Sequence, residues 1–540
     1  MRLPRAALLG LALVGAACAY LPDDSEDVQL VCRSDAECTE GQVCFADGCG
    51  DPGQNIVVEV KPDPAAGLHA QDFAVTNLRP QQNLELFGRA TLQGKVSRQL
   101  TELNPEGTPA TVPYLSPVFV RATGESLLIP GLARSFEGNL VPTREGYQLA
   151  VGAGAYTVTL VPRDTSLPPL RTEGVRVEPG WAVPLDFLLP ASASLTRLTG
   201  KVVREGGQPV NEELEIQALD EGLRPLSQRV PVTRETGDFL LTLPPSAARL
   251  EHVLVQVTAP RAGGLFPQRE FSVDPRPGTT APLVLEEAGT AVPVSGRVVD
   301  RAGQPVPNAS VYLQGKVQGG GQFHSVTVRT GAEGRFELLS LPSLPDTPLM
   351  LYAIPPGSVA AGITRQPTRV PTEGLSGLEV LCPNKVIVRG VLLRPEGGPA
   401  AGVRVVADPV GAVTGWPWPA QGAEVSSATD EEGAYSLRLD PGEYRFDFMP
   451  GENLPRVSRF VPVLPTEDLR LEPFTLSKGR RVTGRVTLGG TQGTHGTAGV
   501  PYADIQFFRV VNVAGKPTAI RLAQTVADSA GDYTATLPTR

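Results

Sequence analysis

The chain has 540 residues, 41% of them hydrophobic and 19% charged, so it is long enough for several domains and too apolar to be disordered. Its formal charge of −9 comes with scattered basic residues and no basic stripe, which excludes a nucleic-acid backbone as partner. Its 58 glycines and 53 prolines, about a fifth of the chain, stay below the low-complexity range and suit many short strands joined by turns.

Residues 1–17 read as a secretory signal: Arg2 and Arg5 form a basic start, an apolar run extends from Ala6 to Val14, and small residues follow. That run is too short to span a bilayer. Gly15-Ala16-Ala17-Cys18 resembles a bacterial lipobox, in which cleavage before Cys18 lets its thiol carry lipid, although Gly15 stands where a branched residue is usual. Ala17-Cys18-Ala19 also fits the A-x-A rule for release of a soluble chain beginning at Tyr20. The leading expectation is an outer-membrane lipoprotein of the cell envelope, held to the membrane through lipid on Cys18. A secreted or periplasmic protein is the alternative. Residues 18–30, acidic and proline-containing, read as a solvated tether.

Cys32, Cys38, Cys44 and Cys49 follow with the spacing C-x5-C-x5-C-x4-C, which in an exported chain reads as two disulfides. They would hold a module at 31–50 that is too small to bury a core of its own. Three connectivities stay open, and a four-cysteine zinc site is the alternative, although only one pair approaches the close spacing such sites favour. The lone Cys382 reads as a buried core thiol. Residues 51–83 read as a linker or an extra strand.

From there the chain repeats one theme. "LQGKV" at Leu92, "LTGKVVREGGQPV" at Leu198, "VSGRVVDRAGQPVPNASVYL" at Val294, "VRGVLLRPEGGPAAGVRVVA" at Val388 and "VTGRV" at Val482 share Gly94, Gly200, Gly296, Gly390 and Gly484. Their spacing of roughly one hundred residues matches one β-sandwich. A second signature, a polar turn before an aromatic that starts a strand, recurs at Thr143, Thr233, Thr330, Thr429 and Ala527. In the fourth unit Tyr435, Leu437 and Leu439 alternate with polar neighbours, Asp440-Pro441-Gly442 turns the chain, and Tyr444, Phe446 and Phe448 alternate again. This pattern predicts two strands with one apolar face each, the first entered through a tight hairpin turn at Gly433. Asp430 can bond amides within its turn and Gly433 can take the positive φ the turn requires, so these acidic turns read as structural rather than as calcium loops.

The pattern of G-x-V, a G-x-P step, T-D-x-x-G-x-Y/F and a P-G-x-Y turn resembles the carboxypeptidase regulatory-like domain over roughly Leu84 to Arg540. The resemblance implies a bacterial lipoprotein with tandem seven-strand sandwiches of transthyretin-like, carbohydrate-binding-like topology, and a fold far more than an activity. The expected fold is therefore all-β: tandem immunoglobulin-like or transthyretin-like seven-strand β-sandwiches behind a small disulfide-rich module. Sandwiches are expected at 84–192, 193–290, 291–384 and 385–478. A fifth at 479–540 is expected to be incomplete, with an open edge left by a fragmentary sequence, filled by a partner's strand, or loosely folded.

No catalytic constellation is legible. His69, His252, His324 and His495 fall in different units or linkers, and none begins a zinc-protease motif. No catalytic residue, metal or cofactor is expected. Trp416 and Trp418, in a Gly- and Pro-rich loop, are the candidate contacts: they suit packing at a repeat boundary, grip of a protein, or stacking on a sugar face. The functional expectation is a non-catalytic envelope-anchored rod for adhesion, spacing or scaffolding, with an envelope protein or polysaccharide as partner. The alternatives are a carbohydrate-binding module array and an accessory subunit of an envelope enzyme or secretion complex.

Overall fold

The computed structural model describes most of residues 56–538 and two short strands, Val43–Phe45 and Gly48–Gly50. Residues 1–42, 46–47, 51–55, 76–78, 205–206, 211–212, 260–267, 277–282, 286–290, 318–320, 412–424, 452–453, 466–467, 490–497, 514–515 and 539–540 lie outside the description. Every regular element among the described residues is a β-strand or a short 3-10 segment, so the chain is all-β as expected.

The fourth unit shows how the repeat folds. Tyr435, Leu437 and Leu439 are buried along one face of Ala434–Leu439, and Tyr444, Phe446 and Phe448 along one face of Gly442–Met449, as period-two alternation requires. The turn at Gly433 does not close a hairpin, which corrects the sequence expectation: Val425–Ala428 before it and Ala434–Leu439 after it pair in different sheets. Ala434–Leu439 pairs antiparallel with Val386–Leu393, whose other edge takes Asp468–Arg470 in parallel. Gly442–Met449 instead lies between Arg404–Gly411 and Val457–Val463, and Arg404–Gly411 also pairs with Val425–Ala428. Phe474–Thr475 also pairs in parallel with Val386–Leu393, so the turn at Asp440 carries the chain from one four-stranded sheet to another, and the two apolar faces close on each other as a single core. The first and second units pair a four-stranded sheet with a three-stranded one, and the third pairs a five-stranded sheet with a three-stranded one. The first unit gains a further small sheet of Val96–Leu103, Pro109–Pro113 and Phe187–Leu189.

The repeated glycine and the repeated aromatic are two halves of one contact. Gly94, Gly200, Gly296, Gly390 and Gly484 stand opposite Tyr147, Phe239, Phe336, Tyr435 and Tyr533 in the antiparallel registers. A Cβ on Gly484 would lie 1.8 Å from the Gln82 carbonyl oxygen, to which the Tyr533 hydroxyl donates at 2.5 Å. Gly484→Ala must therefore push backbone apart, and we expect a loss of about 1–3 kcal/mol. An unchanged thermal midpoint for the fifth unit would contradict this packing. In the fourth unit Gly433 has φ +75°, and Asp430 Oδ1 accepts from the amides of Glu432 and Ala434 at 3.1 and 2.7 Å.

The fifth unit is assembled from both ends of the chain. Its strands are β1 (Ile56–Lys61), β2 (Gln71–Val75), β3 (Leu84–Leu86), β4 (Gly479–Leu488), β5 (Asp504–Val513), β6 (Lys516–Val526) and β7 (Asp532–Pro538). The four-stranded sheet runs β2-β1-β5-β6 and the three-stranded sheet β7-β4-β3. β1 is antiparallel to β5, with Val58 opposite Phe507 and Val60 opposite Ile505. β3 is parallel to β4, with Leu84 opposite Val486. Val58, Val60, Leu84 and Leu86 complete a core with Val482, Val486, Ile505, Phe507 and Tyr533.

This corrects the expectation of an incomplete sandwich with an open edge at 479–540. The strand positions missing from that stretch are filled by β1, β2 and β3, because an uncovered apolar sheet face is costly in water and the early strands carry the matching apolar faces. The stretch 51–83, read as a linker or an extra strand, contributes two of these strands. Leu84–Leu86, read as the start of the first sandwich, is the third.

Candidate functional site

Because the fifth unit takes strands from both ends, the chain joins it to the first unit through residues 87–89 and to the fourth through residues 476–478. Every neighbouring pair of units is in contact. Gln228 Nε2 of the second unit lies 2.8–2.9 Å from the carbonyls of Pro162, Asp164 and Leu167 of the first. Gln268 of the second and Gln322 of the third exchange backbone hydrogen bonds of 2.8 and 2.9 Å. The Asp440 carboxylate of the fourth accepts from the Ile363 amide of the third at 2.7 Å. Val457–Val463 of the fourth packs along β6 of the fifth. The contacts form a closed cycle, not the expected rod, in which the first and fifth units would lie at opposite ends.

The contact between the fifth and first units is built on buried charge. Val58 and Val60 point into the sandwich, so strand alternation turns Val57 and Glu59 to the outer face of the sheet. There Arg134 of the first unit enters, its side chain almost fully buried, with Nη2 2.7 Å from Asp72 Oδ1 and 3.4 Å from Glu59 Oε1. Lys61 Nζ lies 3.1 Å from Glu59 Oε2. The Ser126 hydroxyl donates to Asp72 and accepts from the Leu128 and Ile129 amides, which ties the first unit's loop to the same carboxylate. Val57 and Phe508 pack against Ile129 beside this cluster. Burial pushes the Glu59 carboxyl above its usual range, and the Lys61 and Arg134 cations partly counter it.

Glu59 pairs across the sheet with Asp72, and in the fourth unit Asp447 pairs with Ser458 at the corresponding place. Asp447 is fully buried and is bonded by Arg445, Arg456 and Ser458. Two acidic side chains at one sheet position thus carry buried ion networks on the outer faces of their sandwiches. The sequence shows both acids, but no local pattern says that a neighbouring unit will cover their strands.

The sequence-predicted sites fall in several places. Cys18, Cys32, Cys38, Trp416 and Trp418 lie outside the described residues. Cys44 and Cys49 are directly opposed in the register of Val43–Phe45 and Gly48–Gly50. Cys382 is buried in the third core, and its thiol is pushed up to about 12, chiefly by burial and then by Asp440 and Asp300. The thiolate needed for alkylation is therefore suppressed. We expect no alkylation of Cys382 by iodoacetamide at mildly alkaline pH in the folded protein and rapid alkylation in denaturant; equal rates, read by peptide mass, would contradict its burial.

His69, His252 and His324 stay apart: His69 meets the Phe136 ring edge-on, His252 faces Glu221, and His324 stacks on Tyr312. Asp528 Oδ1 accepts from the Ala530 and Asp532 amides, as Asp430 does in its own turn. Sequence reasoning missed two surface features. Trp181 is 65% exposed, and a cleft of about 850 Å³ at the junction of the third and fourth units is lined by Arg301, Lys385 and Arg438.

No family model matches the chain, and no curated protein matches it. Among solved structures it is similar to a streptococcal ancillary pilin (14% identity, TM-score 0.22, covering 52% of this chain and 99% of that one). It is also similar to the Bacillus anthracis TIE protein (13%, 0.17, 72% and 74%) and to the major pilin subunit of Bacillus cereus (12%, 0.15, 53% and 100%).

Proposed function

We propose that this protein is a non-catalytic structural and interaction protein of the cell envelope, built from carboxypeptidase regulatory-like repeats and held to the membrane by lipid on Cys18. The observation that carries the reading is the closed cycle: the buried ion network of Glu59, Asp72 and Arg134 is spent on holding units together, not on a reacting centre. The acids of the repeat turns are likewise engaged by backbone amides. In this reading the signal and Cys18 supply export and anchorage, the cysteine-rich segment follows the anchor, and the five units present a fixed surface to an envelope protein.

The experiment is crosslinking in intact cells followed by membrane fractionation, comparing the natural chain with Cys18→Ser. We expect the natural chain in the membrane fraction with a reproducible crosslinked protein partner, and the variant in the soluble fraction. Retention of Cys18→Ser in the membrane would overturn the anchor, and absence of any crosslinked protein would overturn the interaction role.

A second reading, a carbohydrate-binding array, is favoured by the exposed Trp181 together with the paired tryptophans of the fourth unit. Retention on an envelope polysaccharide column that falls at least tenfold in Trp181→Ala, or in Trp416→Ala with Trp418→Ala, would support it. No retention of the natural chain would end it.

A further inference from the structure

The joint that completes the fifth unit is formed between two unlike halves, β1–β3 from one end of the chain and β4–β7 from the other. Each half is attached to its own side of the cycle. Arg134 and Ser126 fasten β1 and β2 to the first unit of the same chain through Glu59 and Asp72. β6 packs along the fourth unit. Between the halves lie the β1 to β5 ladder, the β3 to β4 ladder and the shared apolar core. These contacts depend on strand register and side-chain shape, and none requires that both halves belong to one molecule.

We propose that the partner this joint fits is a second copy of the chain: β1–β3 of one molecule complete β4–β7 of another, so that the cycle opens and molecules join head to tail. The interface is heterologous, because the donor surface differs from the acceptor surface, and each added copy leaves one donor and one acceptor free. Closure within one chain competes as an intramolecular event, with an effective concentration set by how the first to fourth units hold the two halves. The single-chain cycle is therefore the dilute form, and exchange follows when closure in cis is blocked or when chains fold at high concentration.

The test uses two full-length variants that each lose one half of the joint. Val60→Asp places a charge on the donor face, and Phe507→Asp does the same on the acceptor face; both side chains are fully buried in the composite core. Each variant alone is expected to remain monomeric, with fast amide exchange in β4 and β5. In an equimolar mixture the intact donor of Phe507→Asp meets the intact acceptor of Val60→Asp. The light-scattering mass should then double, and protection should return in the one acceptor half that is intact. A mixture that stays monomeric with unprotected β4 and β5 would overturn the proposal. Should either variant fail to fold in its other units, two differently tagged natural chains are refolded together near about 1 mM. A species that carries both tags and persists on dilution is expected, and tags that separate completely at every concentration would overturn it.

Discussion

A chain that begins at Phe87 is expected to lose the fold of residues 479–538, at the opposite end of the sequence. Removal of β1, β2 and β3 strips the core of Val58, Val60, Leu84 and Leu86 and leaves β4 and β5 with unpaired edges. Four buried aliphatic side chains contribute about 1.5–3 kcal/mol each, a sum comparable with the whole stability of a single domain, which is about 5–15 kcal/mol. The measurement is amide exchange followed residue by residue. Protection should vanish through Gly479–Leu488 and Asp504–Val513, while the third unit, whose core is self-contained, should keep its protection at Val311 and Leu351. Persistent protection of β4 and β5 in the shortened chain would sink the composite fifth unit and the exchange proposal together.

Arg134→Met is expected to be among the most damaging single substitutions. The guanidinium is the cation that enters between Asp72 and Glu59, and its loss leaves the buried Asp72 carboxylate without an ion partner and Glu59 with Lys61 alone, at a cost of about 3–5 kcal/mol. Replacing all three charges, with Glu59→Gln and Asp72→Asn added to Arg134→Met, should return most of that loss, since the penalty arises from unpaired buried charge. Urea unfolding of the single and triple variants checks this; equal losses in both would mean that Arg134 acts through shape alone.

The pH dependence of the seam follows from the direction of the Glu59 shift. Burial raises its carboxyl above the ordinary 4.5, so the folded protein holds this proton over a pH range in which the unfolded chain has released it. Folding then takes up a proton, and the Glu59 contribution to stability is largest below 4.5 and falls as pH rises through the folded value. Arg134→Met removes one of the cations that oppose the shift, so the decline should be steeper in that variant and absent from a Glu59→Gln background. A variant that gains stability as pH rises over this window would show that Glu59 is not buried at the seam.

Much of the architecture was legible because it is written in local periods. Alternation at Tyr435, Leu437 and Leu439 needs only the two-residue period of a strand. Gly433 and Asp430 needed only turn chemistry. The pairing of Gly484 with Tyr533 was visible as two recurring letters but not as one contact, because the distance between them in sequence hides a register. The hairpin expected at Gly433 failed for a related reason: a short turn can join two strands of one sheet or cross between two, and local residues do not distinguish these.

Taken alone, the sequence determined that this protein is a chain of tandem β-sandwiches, because apolar alternation, turn residues and a repeated glycine recur at the period of one domain. It also determined where charge and aromatic rings lie along the chain. Only the tertiary structure decided how the repeat ends. Ile56–Lys61 and Asp504–Val513 are separated by more than four hundred positions, carry no shared motif, and meet because their edges pair in one sheet whose apolar face joins a single core. Burial of apolar area is indifferent to sequence distance. That is why the candidate site, a seam of Glu59, Asp72 and Arg134 between the first and fifth units, is built from residues that look like ordinary surface charges until the chain closes on itself.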